Sequence, residues 1–110
     1  MPPNRSADSE VTVFKVATGE ELEAVEKIYR KHKATLGFFP EGAFQDRYRN
    51  GQILAAAIGE NVVGYVIFQI NRTEEVRIAH LATATEFEGF EIPRFLSRGL
   101  DESIGAKVVL

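Results

Sequence analysis

VRIAHLATATEFEGFEIPRFLSRGLDESIGAKVVL, Val76 to Leu110, is the stretch whose reading decides the fold. It divides into a strand-like run (VRIAHLAT, 76–83), an acidic loop with one glycine (ATEFEGFE, 84–91), a helical segment (IPRFLSRGLDESIG, 92–105) and a second strand (AKVVL, 106–110). A helix between two strands suits the crossover of a parallel βαβ unit. The loop opens a helix N-terminus, where the first backbone N–H groups lack intrahelical partners and attract anions. Three glutamates, Glu86, Glu88 and Glu91, stand in that loop. Whether the chain uses such an anion site is the question its sequence raises.

Upstream, Gln52 to Ile58 and Val62 to Asn71 are two apolar, β-rich runs joined by Gly59-Glu60-Asn61, a hairpin signal. Asn71 to Glu75 is a second polar turn, which makes Val76 to Thr83 the third strand of a meander. Val11 to Val16 alternates like a strand. Thr18 then makes an N-cap, and Leu22, Val25, Ile28 and Tyr29 recur at helical spacing, so a helix is expected from Gly19 to about His32. Thr35 to Gly42 (TLGFFPEG) breaks it. A short helix follows from Ala43 to Arg49 and closes at Asn50-Gly51. Met1 to Glu10 is polar and aperiodic and reads as a disordered lead-in. The expected fold class is α/β, in the order β-α-α-β-β-β-α-β over residues 11–110.

Bulk composition narrows the function classes. The 110 residues suit one domain, and 45% hydrophobic residues supply a core. A net charge of −3 leaves no electrostatic footprint for nucleic acid or an anionic membrane. There is no cysteine, which removes disulfides, thiolate nucleophiles and cysteine-based zinc sites, and two distant histidines argue against a metal site. No apolar run reaches the roughly 20 residues of a membrane span. The N-terminus lacks a secretory apolar region, so a cytoplasmic protein is expected.

With these elements in order, the sequence resembles the GNAT superfamily of N-acetyltransferases over about Val11 to Leu110. Ile53-Leu54-Ala55-Ala56 followed by Asn61-Val62-Val63-Gly64-Tyr65-Val66 is similar to the family's second and third strands, and Arg77-Ile78-Ala79-His80-Leu81-Ala82-Thr83 to its fourth. The resemblance implies a GNAT-like mixed sheet and transfer of an acetyl group from acetyl-CoA to an amine, on a small molecule or a peptide. It also implies that backbone groups of Leu81, Ala82 and Thr83 hold the pantetheine. In the family, a loop of pattern Q/R-x-x-G-x-G/A offers its amides to the pyrophosphate. The matching residues here are Glu86-Phe87-Glu88-Gly89-Phe90-Glu91, of which only Gly89 agrees. On that match the amides of Gly89, Phe90, Glu91 and Ile92 would hold pyrophosphate. Pro93 removes one donor from the first turn of the helix.

The departure has an energetic meaning. A helix N-terminus favours an anion by about 0.3–1 kcal/mol, up to about 2. A like charge about 4 Å away costs roughly 1 kcal/mol in water and about 4 at an effective dielectric of 20. One inward carboxylate would cancel the dipole. If all three point to solvent, Glu91 simply complements the helix dipole.

His80 lies where a general base would stand, since imidazole titrates near neutral pH. The alternative reading is a partly buried histidine bonded to a backbone group. Arg77, alternating with His80 in facing, would pair with Glu74 or Glu75. His32 belongs to a basic cluster, Arg30-Lys31-His32-Lys33, that suits the negative end of its helix and needs no function. Leu36, Phe38, Phe39 and Phe44 would line the acceptor side of the cleft, with Phe38 and Phe39 reading alternatively as plugs of the core. Phe87 and Phe90 are expected to pack the loop onto the sheet.

The family fold normally continues past its fifth strand, and in many members a tyrosine from that continuation protonates the coenzyme A thiolate. The sequence stops at Leu110. A homo-oligomer that covers the last strand, or a longer chain, is therefore expected. The alternative to an enzyme is a degenerate, non-catalytic GNAT-like module acting in assembly or regulation.

Overall fold

The computed structural model describes residues 11–36, 41–70, 75–104 and 108–109. The lead-in at 1–10, Phe38, Phe39 and Leu110 lie outside them, as does the side chain of Leu36. The elements are β1 (Val11–Lys15), α1 (Gly19–Leu36), α2 (Glu41–Arg49), β2 (Ile53–Ile58), β3 (Asn61–Ile70), β4 (Val76–Thr83), a 3-10 turn (Thr85–Phe87), α3 (Ile92–Ile104) and β5 (Val108–Val109). The expected order holds throughout.

Local chemistry explains the boundaries. Thr18 and Glu21 form a reciprocal capping box. The Glu21 amide donates to Thr18 Oγ1 at 3.1 Å, and Glu21 Oε1 accepts from the amides of Thr18 at 3.2 Å and Ala17 at 2.8 Å. The helix then runs to Leu36, past the expected end near His32. The residues after His32 are tolerated in a helix, and the first true breaker in the sequence is Gly37.

Helix α2 ends in a Schellman motif: the Gln52 amide reaches the Arg47 carbonyl at 2.8 Å and the Gly51 amide the Tyr48 carbonyl at 3.1 Å. Gly51 takes the left-handed φ of 68° that this motif requires. Tyr48 Oη donates to the Ala17 carbonyl at 3.0 Å, tying α2 to the start of α1. The β2–β3 hairpin turns on Gly59 and Glu60, with positive φ only at Gly59, the pattern of a type II′ turn.

The sheet order is β1-β2-β3-β4-β5, antiparallel except for the β4–β5 pair. Two clusters sandwich it. On one face Leu22, Val25, Ile28 and Tyr29 of α1 and Phe44 of α2 cover Ile53, Ala55, Tyr65, Ile67 and Ala82. On the other, Ile92, Leu96 and Leu100 of α3 cover Leu54, Ala56, Val63, Val66, Phe68 and Val76. This two-sided cover explains why β3 reads as a continuous apolar run.

Two bulges break the alternation. In β3, Ala56 pairs with Gly64 and Ala57 with Val62, which leaves Val63 as the extra residue. Val63 and Gly64 then both face α3. A Cβ at Gly64 would stand 2.6 Å from Ile92 Cγ2, so only glycine fits there. In β4, Ile67 pairs with His80 and Phe68 with Ile78, which leaves Ala79 unmatched.

Candidate functional site

The bulge at Ala79 decides where His80 points. In an unbroken strand Ile78 and His80 would share a face. Here Ile78 packs with the α3 cluster, whereas His80 turns to the opposite face and meets α1. Arg77 pairs with Gln69 and His80 with Ile67, two β3 residues on one face. Arg77 and His80 therefore share a side of the sheet, which corrects the expected alternation. The imidazole is half-buried and stacks on the ring of Tyr29, with centroids 5.9 Å apart and planes at 14°. Burial pushes its pKa below the ordinary histidine value, which favours the neutral ring. Beside it on β3, the phenol of Tyr65 is fully buried, and burial together with the nearby Tyr29 raises its pKa, so it stays protonated.

Strand β4 runs out from this point towards the acidic loop. Among the described residues, β5 pairs with it only at Val76 and Arg77. From Ile78 to Thr83 its edge away from β3 has no described strand, and alternate backbone groups face outwards there. Leu81 is half-buried against the α3 cluster, Ala82 is buried on the α1 side, and Thr83 is half-buried.

The loop folds as a compact turn. The Phe87 amide reaches the Ala84 carbonyl at 2.9 Å, and the Phe90 amide reaches the Phe87 carbonyl at 3.1 Å. The rings of Phe87 and Phe90 meet edge to face at 5.2 Å and pack with Ile92 under the start of α3. Glu86, Glu88, Gly89 and Glu91 are all exposed. The three carboxylates thus stand in water, where their repulsion towards an anion is weakest. Among the described residues, the amides of Gly89, Glu91 and Ile92 donate to no group.

Glu91 has a φ of 55°, the left-handed region, and is the one non-glycine residue with positive φ among those described. This is the position at which the resemblance places glycine or alanine. The side chain departs from the pattern while the backbone keeps a glycine-like conformation. The Glu91 carboxylate lies 3.5 Å from Arg94 Nη1, both partly exposed, and the Glu91 carbonyl accepts from the Arg94 and Phe95 amides.

Of the residues expected on the acceptor side, only Phe44 has a described side chain. Phe44 is 2% exposed and meets Tyr29 edge to face at 5.1 Å, so it belongs to the core and faces no open cleft. Of the four, Leu36 is known only as the last residue of α1, and Phe38 and Phe39 lie outside the described residues.

An open groove of about 860 Å³ lies between α1, the β2–β3 turn and the loop. Lys27, Ile28 and Lys31 line one wall, with Val62, Ala84 and Phe87 opposite. It contains neither His80 nor Gly89 to Ile92. The sequence reading missed Tyr29, whose spacing marks it only as a core residue, and the bulge at Ala79, which leaves no local mark.

No protein-family model matches the sequence, and no curated protein is similar enough to count as a relative. Solved structures do match. Ard1 from Thermoplasma volcanium superimposes with a TM-score of 0.72 at 15% identity, over 86% of this chain and 64% of that one. A ribosomal-protein-alanine N-acetyltransferase from Brucella melitensis biovar Abortus 2308 gives 0.71 at 18% identity, over 91% and 78%. N-acetylglutamate synthase from Neisseria gonorrhoeae, solved with coenzyme A and N-acetyl-glutamate, gives 0.70 at 16% identity, over 87% and 23%. The chain therefore spans under two thirds of the Ard1 chain and about a quarter of the synthase chain. At such identities the match speaks for architecture. From β1 through β5, this chain has the fold of the GNAT N-acetyltransferases.

Proposed function

We propose that this chain is an N-acetyltransferase domain that takes acetyl-CoA and acetylates an amine. One observation carries the reading: the loop before α3 keeps a left-handed residue at Glu91 and, among the described residues, undonated amides at Gly89, Glu91 and Ile92, although its side chains have diverged. A phosphate-bearing ligand uses those backbone features and not the side chains. The edge of β4 from Ile78 to Thr83, which pairs with no other strand among the described residues, leads to the same loop.

In this reading, acetyl-CoA supplies the acetyl group as a thioester. The amides of Gly89 to Ile92, less the bonded Phe90 amide, would hold its pyrophosphate, and backbone groups of Leu81, Ala82 and Thr83 its pantetheine. His80, neutral because it is desolvated, would take the proton that the attacking amine gives up. That role is worth about 10²–10⁴-fold in rate. Binding is expected to be weak, since a dipole contribution of about 0.3–1 kcal/mol is opposed by three solvated carboxylates.

The runner-up is a non-catalytic GNAT-like module, favoured by the glutamate that occupies the left-handed position. Calorimetric titration with acetyl-CoA separates the two. Micromolar binding, with turnover lost in His80→Ala at unchanged affinity, supports the enzyme. No heat at millimolar ligand leaves the module.

A further inference from the structure

We infer that Tyr29 of α1 is a positioning residue for the His80 imidazole, held in turn by Phe44 of α2. This rests on the reading of His80 as the base. Three rings stand in line. His80 and Tyr29 are nearly parallel at 14° and 5.9 Å, and Tyr29 meets Phe44 edge to face at 5.1 Å and 64°. Both separations fall within the range in which aromatic pairs attract beyond simple burial.

The arrangement joins elements far apart in sequence. The bulge at Ala79 turns His80 out of the α3 face and onto the α1 face. The capping box at Thr18 and Glu21 fixes the start of α1, and the Tyr48 hydroxyl ties α2 to the Ala17 carbonyl. Tyr29 is 6% exposed and Phe44 2%, so neither ring is free to swing. A half-buried imidazole on a strand keeps two rotatable bonds. A fixed ring stacked on one face removes most of that freedom and sets the plane in which the ring nitrogens present their lone pair or proton. General bases act only within hydrogen-bond reach and alignment of the proton that they take, so orientation of this kind bears on kcat and not on cofactor affinity.

The test compares Tyr29→Phe, which keeps the ring, with Tyr29→Leu, which keeps apolar bulk without it. The first readout is proton NMR of the His80 ring, assigned by its loss in His80→Gln. In the native chain the ring protons should be shifted upfield by the Tyr29 face. Tyr29→Leu should remove that shift, and Tyr29→Phe should restore it. The second readout is acetyl transfer. Tyr29→Leu should lower kcat about tenfold, a part of what a base supplies, with KM for acetyl-CoA unchanged, and Tyr29→Phe should recover most of the rate. If Tyr29→Leu does not fold, Phe44→Leu removes the brace without touching His80 and should move the same resonances. Unaltered His80 resonances in the ring-less variants would overturn the inference. Equal damage from Tyr29→Phe and Tyr29→Leu would overturn it too, by assigning the effect to the hydroxyl. Absent transferase activity in the native chain, with the ring shifts as expected, would overturn the enzyme reading and leave the stacking intact.

Discussion

Glu91 offers the sharpest test of the loop, because Ala and Gly should exchange their usual ranking there. At a right-handed position, Gly is less stable than Ala by about 0.5–1 kcal/mol, owing to its greater freedom in the unfolded chain. At a φ of 55° the Cβ of an L-residue crowds the following carbonyl, at a cost of roughly 1–2 kcal/mol. Taking the centres of the two ranges, Gly comes out ahead of Ala by about 0.7 kcal/mol. Both substitutions lose the same carboxylate, and with it the exposed pair to Arg94 and the charge at the α3 N-terminus, so those contributions cancel in the comparison. The assay is urea unfolding of Glu91→Ala and Glu91→Gly. With a slope of about 1–3 kcal/mol/M, the Gly variant should unfold a few tenths of a molar later at unchanged slope. Its Tm should be higher by about 2–8 °C. An Ala variant as stable as the Gly variant, or more so, would show that residue 91 is not left-handed. The claim that this loop keeps its anion-binding backbone would fall with it.

Other expectations follow from the same geometry. Glu88→Arg combined with Glu91→Gly should raise coenzyme A affinity tenfold or more, since about 1.4 kcal/mol suffices; calorimetry showing equal or weaker binding would contradict the placement of the pyrophosphate. Gly99→Ala should destabilise by about 1 kcal/mol although Ala is the better helix former, because the new Cβ would lie 2.5 Å from Val13 Cγ1 and 3.1 Å from Val13 Cβ; a higher denaturation midpoint would refute this close approach of α3 to β1. For His80, desolvation lowers the folded pKa below the unfolded value of about 6.5. The unfolded chain therefore binds its proton first as pH falls, so this group's contribution to stability declines between about 6.5 and the lower folded pKa and is constant beyond. By the same shift, kcat/KM in a pH-rate profile should hold its plateau to below about 6.5, and a midpoint at or above the ordinary histidine value would speak against a desolvated base.

Much of the architecture is written locally in this sequence. The Thr18–Glu21 capping box, the Gly51 helix stop, the Gly59 turn and the strand–loop–helix order after Val76 each depend on residues within a few positions of one another. Their chemistry can be read without knowing what lies across the sheet. The same holds for the acidic character of the loop, which no packing arrangement can change. What packing alone decided is the direction of side chains and the conformation of single residues. His80 faces α1 because Ala79 is left over in a register set by β3. Gly64 faces Ile92 because Val63 is left over against β2, and a one-residue slip of this kind reverses every side chain beyond it. Phe44, one of two aromatic residues on a short helix, became a core ring behind Tyr29 and not part of a cleft, since α2 is pinned by the bond from Tyr48 to the Ala17 carbonyl. Glu91 adopts a glycine's conformation because the Phe87–Phe90 pair and Ile92 anchor both sides of the turn in the core. A local preference of roughly 1–2 kcal/mol is too small to resist that anchorage.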